Sequence, residues 1–212
     1  MALPKVLLAD DHTLVIEALR KLLEPQCNIV GTVPNGRSLV EAAPLLKPDV
    51  IVTDIIMPLL NGLEAGRQLK AAMPAVKLIF VTMNEDPELA IEAMRERASG
   101  YLLKSCAASE LFQAIQVALR GGSYVTPRIA KAMQEVFIRD PQAKAHDKQP
   151  TRRQREVIQL LAEGKSMKEA AAILNLTPRT IAFHKYRVME HLGFKSTASL
   201  IEFAIKTHIL ID

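Results

Sequence analysis

The chain has 212 residues, 49% of them apolar and 24% charged, with a net charge of +4 and two cysteines. No apolar stretch approaches the ~20 residues of a membrane helix, and the short apolar run in Met1–Asp10 lacks the cleavage pattern of a signal peptide. Cys27 and Cys106 fall in no CxxC or His spacing, so neither a disulfide framework nor a zinc site is indicated and a folded cytoplasmic protein is expected.

In chain order, Lys5–Ala9 is an apolar run ending in Asp10-Asp11. A helical pattern follows over about Thr13–Leu23, with Leu14, Ala18, Leu19, Leu22 and Leu23 expected on its inner face. Asn28–Val33, between Pro25 and Pro34, reads as a strand. Gly36–Leu46 reads as a helix whose last turn Pro44 should distort. The stretch Val50–Pro58 is preceded by Pro48 and rich in β-branched residues, as a strand buried on both faces should be. It carries Asp54 at its C-terminal end. Asn61-Gly62 falls in the loop before a helix over about Leu63–Ala72. Lys77–Thr82 is a fourth strand, Pro87 opens the next helix, and Gly100 separates that helix from strand Tyr101–Leu103, which runs into Lys104. A fifth helix, Ser109–Arg120, ends at Gly121-Gly122. Five alternating βα units imply an α/β fold: a five-stranded parallel sheet, helices on both faces, right-handed crossovers.

In such a sheet the carboxyl ends of the strands open into the ligand crevice. Asp54 alone would be an ordinary turn residue. Four strands, however, deliver Asp10-Asp11, Asp54, Thr82 and Lys104 at the same end, which packing does not require. Three carboxylates with one lysine would repel unless a cation intervened, and a hard divalent ion such as Mg²⁺ fits an oxygen set of this kind. With the metal and Lys104 beside it, Asp54 becomes a nucleophile for a phosphoryl group, and Thr82 donates its hydroxyl to a phosphoryl oxygen.

These residues, with Met57-Pro58, Asn61-Gly62, Val81-Thr82 and Tyr101-Leu102-Leu103-Lys104, resemble the receiver domains of two-component response regulators over roughly the first 120 residues. The resemblance implies a flavodoxin-like, doubly wound fold and phosphotransfer from a sensor histidine kinase to Asp54. It implies Mg²⁺ held by Asp10, Asp11, Asp54 and the main-chain carbonyl of Ile56. Thr82 and Tyr101 match the family's switch pair, in which the threonine moves toward the phosphoryl group and the aromatic ring follows it inward. The implied signalling surface is the helix after Pro87, the Tyr101 strand and the Ser109 helix.

Beyond the receiver, expected over residues 1–122, Tyr124–Ile138 shows helical spacing after Pro127, and Arg139–Pro150 reads as a polar linker. Helix and linker together span 123–149. Charge shifts along the chain: residues 1–126 hold 12 Lys+Arg against 14 Asp+Glu, whereas residues 150–212 hold 10 against 6. That excess is a weak pointer to a polyanion.

Residues 150–212 read as all-helical. Thr151 caps a helix reaching Gly164, Ser166 starts a second over Lys168–Leu174, and Thr177-Pro178 opens a third that stops at Gly193. A fourth covers Thr197–Thr207. Two short helices joined at Leu174-Asn175-Leu176 and followed by a longer one have a helix-turn-helix layout. On the third helix Ile181, Val188 and Leu192 form the core stripe, and Arg179, Ala182, Phe183, Tyr186, Arg187 and Glu190 lie opposite, with Lys185 near the edge. This face reads as the DNA-contacting surface (Arg179, Ala182, Phe183, Lys185, Tyr186, Arg187); the alternative is an apolar surface for a partner protein.

The segment resembles the LuxR-type, or NarL/FixJ, output domain through Thr151, Arg153, Glu156-Val157, Leu161, Gly164, Ser166, Lys168-Glu169, Leu174, Thr180, His184 and Leu192. Gln154, Met167, Ala170 and Ala182 depart from the residues usual there. The expected function is a phosphorylation-dependent DNA-binding transcriptional regulator without turnover of its own. It is expected to form a homodimer on activation and to bind an inverted-repeat site in double-stranded DNA. Two other classes stay open: a phosphohydrolase, which typically needs a second Asp where Ile56 stands, and a protein-interaction module.

Overall fold

The computed structural model describes residues 2–139 and 150–210. It divides into two compact units, the first carrying a sheet and the second the four C-terminal helices. None of the helices among the described residues is long and apolar enough to cross a membrane.

In the first unit, β1 (Lys5–Ala9), α1 (Thr13–Leu23), β2 (Asn28–Val33), α2 (Gly36–Leu46), β3 (Val50–Thr53), α3 (Gly62–Ala72), β4 (Lys77–Thr82), α4 (Pro87–Arg95), β5 (Gly100–Leu103) and α5 (Ala107–Leu119) alternate as expected. The strands lie in the order β2-β1-β3-β4-β5-β6, all parallel. The order reverses between β1 and β3, which places the crevice of an open α/β sheet above their C-terminal ends. Adjacent residues point to opposite faces. Val6, Leu8, Val50, Val52, Ile79 and Val81 therefore pack on α1 and α5 through Leu19, Leu23, Leu111 and Ile115.

Helix starts follow local chemistry. Asn35, Asn61 and Asp86 accept from the backbone N–H groups of Ser38 (2.9 Å), Glu64 (2.7 Å) and Glu88 (2.8 Å). Each such cap is worth about 1 kcal/mol.

The structure departs from the sequence expectation in several details, among them that β5 already includes Gly100 and the second of the C-terminal helices begins at Met167. The sheet has a sixth strand, β6 (Tyr124–Val125), inside the segment read as helical, and α6 (Pro127–Arg139) begins only after it. Pro127 has no N–H to continue the ladder and a φ suited to a first helical turn, so strand gives way to helix there. The edge of β5 is thus paired, and α6 packs on α4. Asn61 is the N-cap of α3 and Gly62 its first residue, whereas α5 starts at Ala107, two residues before Ser109. On α1 the buried residues are Ile16, Leu19 and Leu23, while Leu14 is 86% exposed and Ala18 is exposed. The apolar stripe is rotated so that Ile16, not Leu14, faces the sheet. Of the linker expected over Arg139–Pro150, residues 140–149 lie outside the described residues.

The second unit comprises α7 (Arg152–Ala162), α8 (Met167–Leu174), α9 (Pro178–Leu192) and α10 (Thr197–Lys206). Thr151 with Gln154 and Ser166 with Glu169 form capping boxes at the starts of α7 and α8, each satisfying two otherwise unpaired backbone donors. Asn175, with φ +52°, turns the chain between α8 and α9, a left-handed conformation that Asn tolerates. Ile181 packs with Val157, Leu160, Ala170 and Leu174, and Val188 and Met189 pack with Ile158, Leu200 and Ala204. Helix α9 is therefore fixed along its inner side by two apolar clusters.

Candidate functional site

The strand ends bring the predicted polar residues together. Asp10, at the end of β1, is anchored by its N–H on Val33 O (3.1 Å), and Asp54, just past β3, by its N–H on Ala9 O (2.8 Å). The Lys104 ammonium, at the end of β5, lies 2.7 Å from Asp10 Oδ2 and 2.7 Å from Asp54 Oδ2. The N–H of Lys104 donates to Thr82 O at 2.8 Å, which locks the ends of β4 and β5 to each other. Asp54 Oδ1 accepts from Ile55 N (2.6 Å) and Ile56 N (3.2 Å). Ile56 is thereby held against Asp54 through its main chain.

Burial raises the Asp54 carboxyl above the usual carboxylate range, Lys104 opposes that rise, and the charge of Asp10 adds to it. For Lys104, burial alone would lower the ammonium, but hydrogen bonds and charge from Asp10 and Asp54 outweigh it and raise it. The pair therefore offers a carboxylate more basic than usual beside a cation firmly kept protonated. Asp10, Asp11 and Asp54, with His12, place their ligand atoms within 4.8 Å of one another, a group able to hold a metal ion. His12 was not anticipated; Nδ1 lies 3.0 Å from Asp11 Oδ1 and 3.3 Å from Asp10 Oδ1. Its adjacency to the Asp10-Asp11 pair was the available signal.

The Asn61-Gly62 pair acquires a physical reason. A Cβ on Gly62 would lie 1.9 Å from the carbonyl oxygen of Asp54, so only glycine lets α3 start this close to the acceptor loop.

Thr82 is fully buried, and its hydroxyl accepts from Asn84 N at 3.2 Å. The Tyr101 ring is also fully buried and turned inward, its hydroxyl donating to Asn84 O at 2.9 Å. Burial, with the charges of Asp86 and Asp54, drives that hydroxyl far above its ordinary pKa, so it acts only as a neutral donor. Sequence reading found both ends of this link and missed Asn84, whose main chain joins them.

On α9, Phe183 is 55% and Tyr186 58% exposed, and Arg179, Arg187 and Glu190 are exposed beside them. Ala182 and Lys185 are half-buried. The Arg187 guanidinium lies 5.5 Å from the centre of the Phe183 ring, and Lys185 Nζ 5.6 Å from that of Tyr186 while donating to Thr197 Oγ1 at 3.0 Å. Each aromatic is paired with a cation, the composition of a surface for stacking or phosphate contact. The His184 ring meets Phe183 edge-on at 5.5 Å, and burial with the charges of Arg153 and Arg187 lowers its pKa below that of a free imidazole.

The profile of the response regulator receiver domain matches residues 6–116, and that of the luxR-family bacterial regulatory proteins matches residues 149–204. The chain is a response regulator with a LuxR-type output domain. The regulator is 34% identical to the transcriptional regulatory protein YdfI of Bacillus subtilis over 208 residues, 97% of each chain. It is 30% identical to the response regulator GacA of Pseudomonas aeruginosa, over 98% of each. Among solved structures it is similar to the response regulator RcsB in complex with DNA, with a TM-score of 0.62 and 26% identity over 95% of this chain and 98% of that one.

Proposed function

We propose that the regulator accepts a phosphoryl group on Asp54 from a sensor histidine kinase and, in that state, binds double-stranded DNA through α9 as a homodimer on an inverted repeat. The placement of Lys104 Nζ 2.7 Å from both Asp10 and Asp54 carries the first part. A carboxylate oxygen of Asp54 attacks phosphorus, the P–N bond to the donor histidine breaks, and its electron pair stays on the imidazole. Lys104 offers its charge to the phosphoryl oxygens, and the Thr82 hydroxyl donates to one of them. The oxygen-rich donor set of Asp10, Asp11, Asp54 and the Ile56 carbonyl suits Mg²⁺, which would neutralise the remaining phosphoryl charge. Asp10→Asn or Asp11→Asn should weaken Mg²⁺ binding roughly tenfold, since affinity follows the number of charged ligands.

No second carboxylate follows Asp54 at Ile56, so the regulator promotes only its own phosphorylation and dephosphorylation and is not a turnover phosphohydrolase. Arg179, Lys185 and Arg187 supply phosphate contacts, while Ala182, Phe183 and Tyr186 supply apolar surface for thymine methyl groups. The RcsB–DNA complex and a structure of RcsB dimers on DNA support this half of the reading. The site of action is the cytoplasm, where the kinase output and the DNA are found.

The test is labelling by a small phosphodonor in Mg²⁺. Wild type and Asp49→Asn should acquire a hydroxylamine-labile label, and Asp54→Asn should acquire none. Equal labelling of Asp54→Asn removes the mechanism.

A further inference from the structure

The buried threonine between β6 and α6 has no role in phosphoryl chemistry, yet it is tied to more elements than any packing argument requires. Thr126 is 2% exposed. Its N–H donates to Tyr101 O at 3.0 Å. Its hydroxyl accepts from Leu103 N at 3.3 Å and donates to Glu110 Oε2, on α5, at 2.8 Å. Its carbonyl accepts from Ile129 N (2.9 Å) and Ala130 N (3.0 Å), the first turn of α6. The β5–β6 ladder ends at the pair Tyr101 and Val125, and Pro127 cannot donate. The side chain of Thr126 therefore serves the buried Leu103 amide where the ladder stops.

Leu103 and Tyr101 belong to the strand that presents Lys104 to Asp54. The hydrogen bonds run from Thr82 Oγ1 to Asn84 N, from Asn84 O to the Tyr101 hydroxyl, from β5 to Thr126 both through Tyr101 O to its N–H and through Leu103 N to its hydroxyl, and from Thr126 O into α6. Any residue with an N–H at 126 could make the main-chain bond, so the hydroxyl is the part of the link that is particular to threonine. A second connection between the β4–α4 loop and α6 is the ion pair Arg128–Glu85 at 2.5 Å. Both partners are well exposed, and such pairs hold little in water. Thr126 is buried and multiply bonded, and a buried amide left without its acceptor is costly. Beside the packing of α6 on α4, Thr126 is therefore a buried polar link between β5 and α6.

We propose that Thr126 is a positioning residue that couples the phosphorylation state of Asp54 to α6, the helix from which the chain leaves toward the output domain. The proposal rests on Asp54 being the phosphoacceptor. A displacement of the Thr82–Tyr101 pair on phosphorylation shifts the β5 backbone, and Thr126, bonded to that backbone on two sides, re-aims or loosens the first turn of α6. A hydrogen-bonded series transmits only if one of its members has two positions, and the experiment asks for that directly.

Amide hydrogen exchange of the full chain is measured with Mg²⁺, with and without beryllofluoride as the phosphoryl mimic. In wild type, exchange should change by roughly threefold or more both at residues 82–86 and 100–104 and at residues 127–133. Thr126→Ser, which keeps the hydroxyl, should behave as wild type. In Thr126→Val the change at 82–86 and 100–104 should persist and the change at 127–133 should vanish. A wild-type response at 127–133 in Thr126→Val overturns the proposal. So does a wild-type chain that responds at 82–86 and 100–104 with nothing at 127–133, a result that needs no variant to fold. No response anywhere in wild type removes the phosphoacceptor reading and this proposal with it.

Discussion

Lys104 Nζ donates to Asp54 Oδ2 over 2.7 Å in a pocket that otherwise disfavours the carboxylate. Two consequences follow from the direction of the Asp54 shift. In metal-free protein the Asp54 carboxyl, followed by NMR, should titrate through a midpoint above the ordinary Asp range, while labelling is measured separately in Mg²⁺. In Lys104→Gln that midpoint should move further up, because the opposing charge is gone, and the maximal rate should fall by roughly 10²-fold or more, the usual loss of one preorganised electrostatic partner.

The same shift has a sign for stability. A carboxyl whose folded pKa is raised contributes stability below its unfolded pKa, and that contribution is lost as pH rises through the folded pKa. In metal-free buffer at pH 7, Asp54→Asn should therefore melt higher than wild type. The advantage should shrink as pH falls through the Asp54 titration. A lower melting temperature for Asp54→Asn at pH 7 would contradict the assignment of burial as the dominant influence.

Gly62→Ala sets a methyl group 1.9 Å from the Asp54 carbonyl oxygen. Neither α3 nor the acceptor loop can absorb that without moving. A loss of at least about 1–3 kcal/mol is expected from the overlap, together with reduced labelling, because the displaced backbone carries Asp54. Denaturant unfolding and phosphodonor labelling check the two parts, and an unaltered labelling rate would show that the acceptor tolerates the shift.

In the second unit, the Arg187 guanidinium lies over the Phe183 ring, which makes the two side chains interdependent. Phe183→Ala should reduce discrimination between a selected duplex and random DNA by roughly 1–3 kcal/mol and leave the salt slope unchanged. Arg187→Ala should weaken both DNAs alike and lower the slope by about one unit per site. The double variant should depart from additivity by about 0.5–1 kcal/mol, the worth of an exposed cation–π contact. Strict additivity would mean that Arg187 is not oriented by the ring.

Much of this was legible in the sequence because strand ends and helix caps are written locally. Asp10, Asp54, Thr82 and Lys104 stood out since each closes an apolar run, and the exposed face of α9 followed from its period. What escaped was non-local. The two-residue strand β6 has no periodicity to detect and exists only because the β5 edge accepts it. The inward position of Tyr101 and its bond to Asn84 depend on a loop conformation that no spacing encodes. On α1 the inward stripe runs through Ile16 and not Leu14, a rotation that the helical period alone leaves open.

In the proposed function the state of Asp54 governs DNA binding by α9. The most direct measurement is the affinity of the full-length regulator for a duplex selected from randomised DNA, with and without beryllofluoride in Mg²⁺, for wild type and Asp54→Asn. Beryllofluoride should tighten binding by wild type about tenfold or more, roughly 1.4 kcal/mol, with a rise in sedimenting mass, and Asp54→Asn should show neither change. Wild-type affinity and mass unmoved by beryllofluoride, or moved equally in Asp54→Asn, would contradict it.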